Sequence, residues 1–447
     1  MTTSTDLLAL SALDLRDRLR SGEISALELT EACLDRIAAR DATVRAWVWI
    51  DPDQARAQAR HLDAHRASGA PLGALHGLPV GLKDVIDTAG IPTQNGCPVD
   101  KGRVPEADAC VVARLRAEGA VIMGKTVTTE LAYMQARETT NPHNPSHTPG
   151  GSSSGSAAAV ADGHVPLAVG TQTGGSVIRP ASYCGVTGLK PSFGALPRTG
   201  VLMQSHTLDT LGVFGRTPLD VALVAEVLFG HDAGDPASRP IAAPRLLNTA
   251  QETPPVPPKL AFARPPRWDD ADPQLHDAFA ALCDSLGDQI TEIALPAVFE
   301  NAASARAQVN FAEIAHYYRR YAEVGFDILG EPTQQALTDG AEITAAQYLD
   351  ALATGQAMRD SLTGIFAEYD AILCPAALGP APEGLTFTGD SIFNGLWTFA
   401  GTPAVTIPAF TARNGLPMGA QLVGAPMDDA RLLRCAKWLA DRIGLTA

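Results

Sequence analysis

Two Gly/Ser clusters in the first half of the chain carry side chains able to do covalent chemistry. They read Gly150-Gly151-Ser152-Ser153-Ser154-Gly155-Ser156 and Gly170-Thr171-Gln172-Thr173-Gly174-Gly175-Ser176. The segment between them, residues 157–169, is apolar and rich in Ala and Val. A flexible linker would not interrupt its Gly/Ser content with a core-forming run. The pattern predicts two tight loops held together by a buried element. Glycine lets backbone approach a ligand closely or adopt positive φ, and consecutive N–H groups in such a turn form a concave site for an anion. A phosphate fits that description, and so does the oxyanion of acyl transfer. Upstream, Leu78-Pro79-Val80-Gly81-Leu82-Lys83-Asp84 is a short apolar strand bearing one lysine. From the residues alone, Lys83 is either a strand-end cation paired with Asp84 or Asp87, or a buried amine used as a base.

The stretch Pro149 to Gly194 resembles the amidase signature family, whose pattern is roughly PGGSSGGSA, then GTDTGGSIRxPA, then CGxxGLKPT. The segment from Gly77 to Asp84 is similar to the same family's G[LI]PxxxKD motif. Weaker likeness runs through Lys125–Ala132, Ser205–Arg216 and Asn394–Gly424. The resemblance implies that Ser176 is the nucleophile, Ser152 a bridging serine 24 positions before it, and Lys83 the general base. It implies a cis peptide at Gly151–Ser152, and no metal or cofactor. The N–H groups of Thr173, Gly174, Gly175 and Ser176 are then placed to hold the oxyanion. In that role Lys83 must be neutral. Bringing a lysine from its usual pKa of about 10.4 down to roughly 7–8 costs about 4 kcal/mol, which burial can supply.

Several positions depart from the family pattern. Gln172 stands where an Asp is common, Ser154 replaces a Gly, and Val127-Thr128 replaces Asn-Met. Ser153 either supports the site or caps local backbone. Arg179 falls three residues after Ser176, where many relatives place an Arg two after it. Its guanidinium either binds a substrate carboxylate or makes a structural contact beside Pro180. Asp209 and Arg216 read as structural. His143 and His147 sit in a Pro-rich loop, where their spacing cannot face a metal.

Positioning these groups takes a large scaffold. Helical periodicity covers residues 7–20, 26–40 and 52–68, with a capping box at Ser25 and Glu28. Apolar strands fall at 44–50, 78–87, 120–124, 260–263, 289–293 and 371–375, and further helices at 273–286, 303–324, 345–369 and 431–443. This alternation predicts an α/β protein, and the resemblance implies a single large mixed sheet sandwiched between helix layers. We expect one domain over 1–447. It comprises a helical flank (1–70), a core (71–220), a variable helical insertion (roughly 225–370) and a C-terminal return to the core (371–447). Pocket walls are expected from 127–133 and 392–399, with Trp397 and Phe399 favouring an apolar or aryl leaving group.

Composition narrows the partners. The chain is 46% hydrophobic with a formal charge of −15, which argues against nucleic acid or an anionic membrane. It contains no apolar run long enough to span a bilayer. Seven scattered cysteines without CxxC spacing point to reduced thiols and the cytoplasm. The expected partner is a small-molecule amide or carbamate, and self-association into a homodimer stays open. The expected reaction is hydrolysis of a linear amide-type C–N bond through an acyl-enzyme, with an ester or a carbamate (urethane) as further substrates. Within the family the alternative is the catalytic subunit of a tRNA-dependent amidotransferase. Outside enzymes it is a glycine-loop phosphate- or nucleotide-binding module, against which the missing Walker sequence counts. An α/β-hydrolase elbow at Gly151–Gly155 is rejected because no strand directly precedes it.

Overall fold

Helices and strands alternate along the chain, and the computed structural model, which describes residues 4–445, joins eleven strands into one sheet. In chain order these are β1 (Trp47–Ile50), β2 (Pro79–Lys83), β3 (Val121–Thr126), β4 (Leu167–Gln172), β5 (Thr187–Lys190) and β6 (Thr210–Gly215), then β7 (Leu260–Ala263), β8 (Ile290–Ile293), β9 (Ala371–Pro375), β10 (Ala404–Thr411) and β11 (Pro417–Val423). Their spatial order is β1-β3-β2-β4-β6-β5-β10-β11-β9-β7-β8. The trios β3-β2-β4 and β8-β7-β9 are parallel, and antiparallel pairs link them. The sheet is therefore mixed, as expected. Every residue of β2, β3, β4 and β6 is buried, the mark of strands covered on both faces. The edge strands β1 and β8 are only partly covered.

The capping box forms as its sequence predicts. Glu28 N donates to Ser25 Oγ at 3.1 Å, and Ser25 N donates to Glu28 Oε2 at 2.7 Å. That helix runs on to Val44, so Val44 is not in a strand. Arg45 breaks the helix in the left-handed region (φ 53°), with Asp41 accepting from Ala46 N. Within the stretch 225–370, the strands expected at 260–263 and 289–293 form as β7 and β8. These strands extend the sheet beside β9. The last strands in sequence, β10 and β11, lie in the middle of the sheet. They carry Pro408 and Pro417, and a proline weakens any strand signal in sequence.

Parallel pairing of β2 with β4 puts their C-terminal ends at the same edge of the sheet, where ligand sites in α/β proteins form. Lys83 ends β2, while Thr171 and Gln172 end β4. The apolar run between the two Gly/Ser clusters is a helix, Ser154–Ala161, followed by β4. No strand directly precedes that helix, in keeping with the rejection of a hydrolase elbow.

The helix packs hard against the neighbouring backbone. Gly155 N donates to Val127 O at 3.0 Å, and a Cβ at Gly155 would stand 2.3 Å from Ala46 O and 2.4 Å from Val127 N. Neither backbone atom can move without disturbing β1 or β3. Gly155→Ala is expected to destabilise the protein by about 2 kcal/mol through overpacking. Gly364→Ala, in a helix with open space around the added methyl, should be neutral or stabilise by up to about 1 kcal/mol. Urea unfolding midpoints of the two variants test the contrast.

Candidate active site

Lys83 is completely buried at the end of β2. Its Nζ contacts two hydroxyls, Ser152 Oγ at 2.7 Å and Thr171 Oγ1 at 2.7 Å. Neither Asp84 nor Asp87 pairs with it. Asp84 accepts from Gln94 N instead, and Asp87 pairs with Arg103 at 2.7 Å. Burial pushes the Lys83 amine well below its ordinary pKa, and the more distant Asp209 opposes the shift. Thr171, to which the sequence alone assigned no role, completes the amine's surroundings. Its place in the second Gly/Ser cluster is the one signal in the sequence; that it faces Lys83 follows only from the parallel pairing of β2 with β4.

The peptide bond between Gly151 and Ser152 is cis. Arg179 holds this loop, donating from Nη2 to Gly151 O at 2.6 Å and from Nε to Thr388 O at 2.7 Å. Of the two expectations for Arg179, these two donors therefore follow the structural one and bind backbone carbonyls. Ser153 also turns inward. Its Oγ donates to Thr171 O at 3.1 Å and accepts from Thr171 N at 3.3 Å, tying the first Gly/Ser cluster to the second. Gly170 makes room for it, since a Cβ there would lie 2.6 Å from Ser153 Oγ.

The turn Thr173–Ser176 joins β4 to the helix Ile178–Cys184. Gln172 braces it from within. Its Oε1 accepts from Val177 N (2.8 Å) and Ile178 N (3.0 Å), and its Nε2 donates to Thr398 Oγ1 (3.0 Å). Thr398 Oγ1 in turn donates to Gly174 O at 2.8 Å. Thr173 Oγ1 donates to Asp209 Oδ1 at 2.5 Å, while Asp209 Oδ2 accepts from Gln204 N and Ser205 N. Asp209 is structural, as expected, and its target is this turn. Burial pushes its carboxyl up to about 6, against the pull of those hydrogen bonds. The N–H groups of Thr173, Gly174, Gly175 and Ser176 donate to no protein group among the described residues. Together with the Ser176 side chain they line a cavity of about 100 Å³.

Tyr133, Phe311 and Arg306 form other walls of this cavity. The expected aromatic wall does not form. Trp397 is fully buried against Phe299, ring centroids 5.6 Å apart, and Phe399 is buried in the same core cluster. Their helix, Ile392–Phe399, turns this apolar face to the core, so the inference of an aryl leaving group lapses. Of the segment 127–133, Ala132 and Tyr133 reach the cavity. Arg306, which no sequence motif marks, lies on the helix Ala302–Tyr317, far along the chain from either Gly/Ser cluster.

Comparison with known proteins agrees with the geometry. The amidase family model matches residues 28–433. The chain is 34% identical to a subunit of the glutamyl-tRNA(Gln) amidotransferase from Chloroflexus aurantiacus, covering 96% of each. A solved structure from a vestigial protein complex, described as bearing on the evolutionary origins of an s-triazine catabolic enzyme, superposes with a TM-score of 0.90. It shares 29% identity, with 97% of this chain and 98% of that one covered. A peptide amidase solved with the competitive inhibitor chymostatin gives a TM-score of 0.86 at 28% identity, with 97% of each chain covered. The chain belongs to the amidase family, and it is an enzyme that hydrolyses amides. The reading of the chain as a phosphate-binding module accordingly lapses.

An amine whose Nζ must be neutral to accept a proton loses that capacity as pH falls through its depressed pKa. The expected acid limb in kcat/KM therefore lies well below the usual lysine range. Thr171 Oγ1 accepts from Nζ and favours the charged form, so Thr171→Val should move that limb to still lower pH. The same change should lower the plateau about tenfold, as a buried donor loses its partner. A pH–rate profile of both proteins checks the two effects; a limb that moves to higher pH would contradict this arrangement.

Proposed function

We propose that the chain is a serine amidohydrolase in which Ser176 attacks the scissile carbonyl while Lys83, through Ser152, manages the protons. The observation that carries the reading is the 2.7 Å contact between Ser152 Oγ and the nitrogen of a buried lysine that has no carboxylate partner. A neutral Nζ offers one lone pair and two N–H bonds. Thr171 Oγ1 takes one N–H, and the lone pair accepts the Ser152 proton. Ser152 Oγ then accepts the proton of Ser176 as the bond from Ser176 Oγ to the carbonyl carbon forms.

The carbonyl oxygen becomes an oxyanion held by N–H groups of the Thr173–Ser176 turn, each such donor being worth about 3 kcal/mol. Collapse of the tetrahedral adduct breaks the C–N bond, and the relay returns its proton to the departing amine. Water then adds to the acyl-enzyme through the same relay and releases the acid. Arg179, Ser153 and Gln172 act by position. Arg179 fixes the Ser152 loop, Ser153 joins the loops, and Gln172 braces the oxyanion turn. The same machinery accommodates an ester or a carbamate, whose carbonyl differs only in the attached heteroatom. We place the reaction in a reducing compartment such as the cytoplasm, a reading supported by seven free cysteines.

The second reading is the catalytic subunit of a tRNA-dependent amidotransferase, favoured by the 34% identity to one such protein over nearly its whole length. Turnover of simple amides by the isolated chain, without a partner protein or tRNA, separates the two. For the first reading, Ser176→Ala should reduce turnover by about 10⁴-fold or more. It should also abolish the acyl adduct that intact-protein mass spectrometry detects when wild-type enzyme meets an activated ester. Undiminished turnover by Ser176→Ala overturns it.

A further inference from the structure

The cavity beside Ser176 contains a guanidinium, that of Arg306, which no protein group among the described residues meets. Arg306 lies across the cavity wall: its Nη1 is 3.4 Å from where a Cβ on Gly174 would stand, and its Nε 2.5 Å from that of Gly395. Among the described residues it donates no hydrogen bond and pairs with no carboxylate, although burial of the group disfavours its charge. Asp390 is the carboxylate whose charge acts on it. That carboxylate is engaged elsewhere, accepting from Ile392 N at 2.9 Å and lying 3.6 Å from Arg267 Nη1. The Tyr133 ring, with its phenol pushed up to about 12 by burial, stands on the same wall. Arg179 adds a second guanidinium to the cavity, with Nη1 facing Gly175 while its other donors hold carbonyls.

Desolvating a guanidinium is costly unless an anion meets it. In a chain of net charge −15, an unpaired arginine beside an oxyanion turn marks a local positive field in a narrow cleft, where such fields concentrate ligand. We propose that the preferred substrates carry a second, anionic carboxylate a few atoms from the scissile carbonyl, and that Arg306 binds it. The planar fork of the guanidinium matches a carboxylate in two parallel hydrogen bonds, with the Tyr133 hydroxyl and Arg179 Nη1 within the same cavity. A volume of about 100 Å³ suits a short dicarboxylic half-amide. This inference rests on Ser176 being the site of acyl transfer.

The experiment compares kcat/KM for succinamate, a half-amide, with that for succinamide, its uncharged diamide. It also measures succinate binding by calorimetry to the Ser176→Ala protein. We expect wild-type enzyme to favour the half-amide by about tenfold or more. Arg306→Gln should reduce the ratio of the two kcat/KM values by about tenfold, toward parity, with Arg306→Lys restoring part of it. Succinate should bind the Ser176→Ala protein and lose that binding when Arg306→Gln is added. Equal turnover of the two amides by wild type, equal losses for both in Arg306→Gln, or no succinate binding overturns the inference. The wild-type comparison and the succinate titration decide the matter even if Arg306→Gln fails to fold. Succinate binding needs no turnover, so its outcome is independent of whether Ser176 forms an acyl-enzyme.

Discussion

Everything in the site depends on keeping one amine dry and without a counter-ion. Water around Lys83 would restore the charge, and so would a carboxylate in contact with it. The fold prevents both. Lys83 ends a strand buried on both faces, and its neighbours at hydrogen-bond distance are hydroxyls. The acids that follow it in sequence are drawn off, Asp84 to a backbone turn and Asp87 to Arg103. The sharp turn after β2 thus keeps two negative charges away from a lysine only one and four residues distant. A buried amine without an anion sheds its proton more readily, and the neutral nitrogen has a lone pair available.

A depressed lysine pKa does not by itself identify a base in this protein. Lys125 and Lys190 are as buried as Lys83, and burial brings them to about 8 and about 7. Lys190 donates to the carbonyls of Pro191 and Thr402, and Lys125 to Ile86 O and Thr93 Oγ1. Each has a carbonyl partner, which can only accept and so fixes an ammonium as a structural clamp, although Lys125 also meets the hydroxyls of Thr93 and Thr88. Among the described residues Lys83 has no carbonyl partner. What distinguishes Lys83 is its partners, two hydroxyls, each donor and acceptor, one of them on the loop next to the oxyanion turn. Environment creates the shift; connectivity decides its use.

The sequence was most legible where chemistry forces a residue type. Lys83 and Ser152 meet as expected, and Ser176 and the four N–H groups share one cavity. The α/β class followed from alternating periodicity, and the large mixed sheet from family likeness. Less legible was anything set by tertiary contact across long sequence separation. Arg306 sits on an amphipathic helix and looks like any surface cation until that helix is laid over Gly174. Trp397 misled because an apolar residue near a site reads alike as wall or core, and only the packing of its helix decides. Thr171 was hidden because its role requires knowing that β2 and β4 are parallel neighbours.

The strand order bears on how the chain reaches this state during synthesis. β5 pairs with β6 on one side and on the other with β10, which leaves the ribosome more than two hundred residues later. Until then the N-terminal part of the sheet carries an open edge, and so does the β9-β7-β8 part, whose β9 awaits β11. The hairpin β10–β11 is the keystone that joins two half-sheets. A nascent chain halted before it would expose two ladders of unpaired amides, templates for pairing with other chains. The delay between making the first half of the sheet and closing it is therefore the interval in which those edges are most open to pairing with other chains.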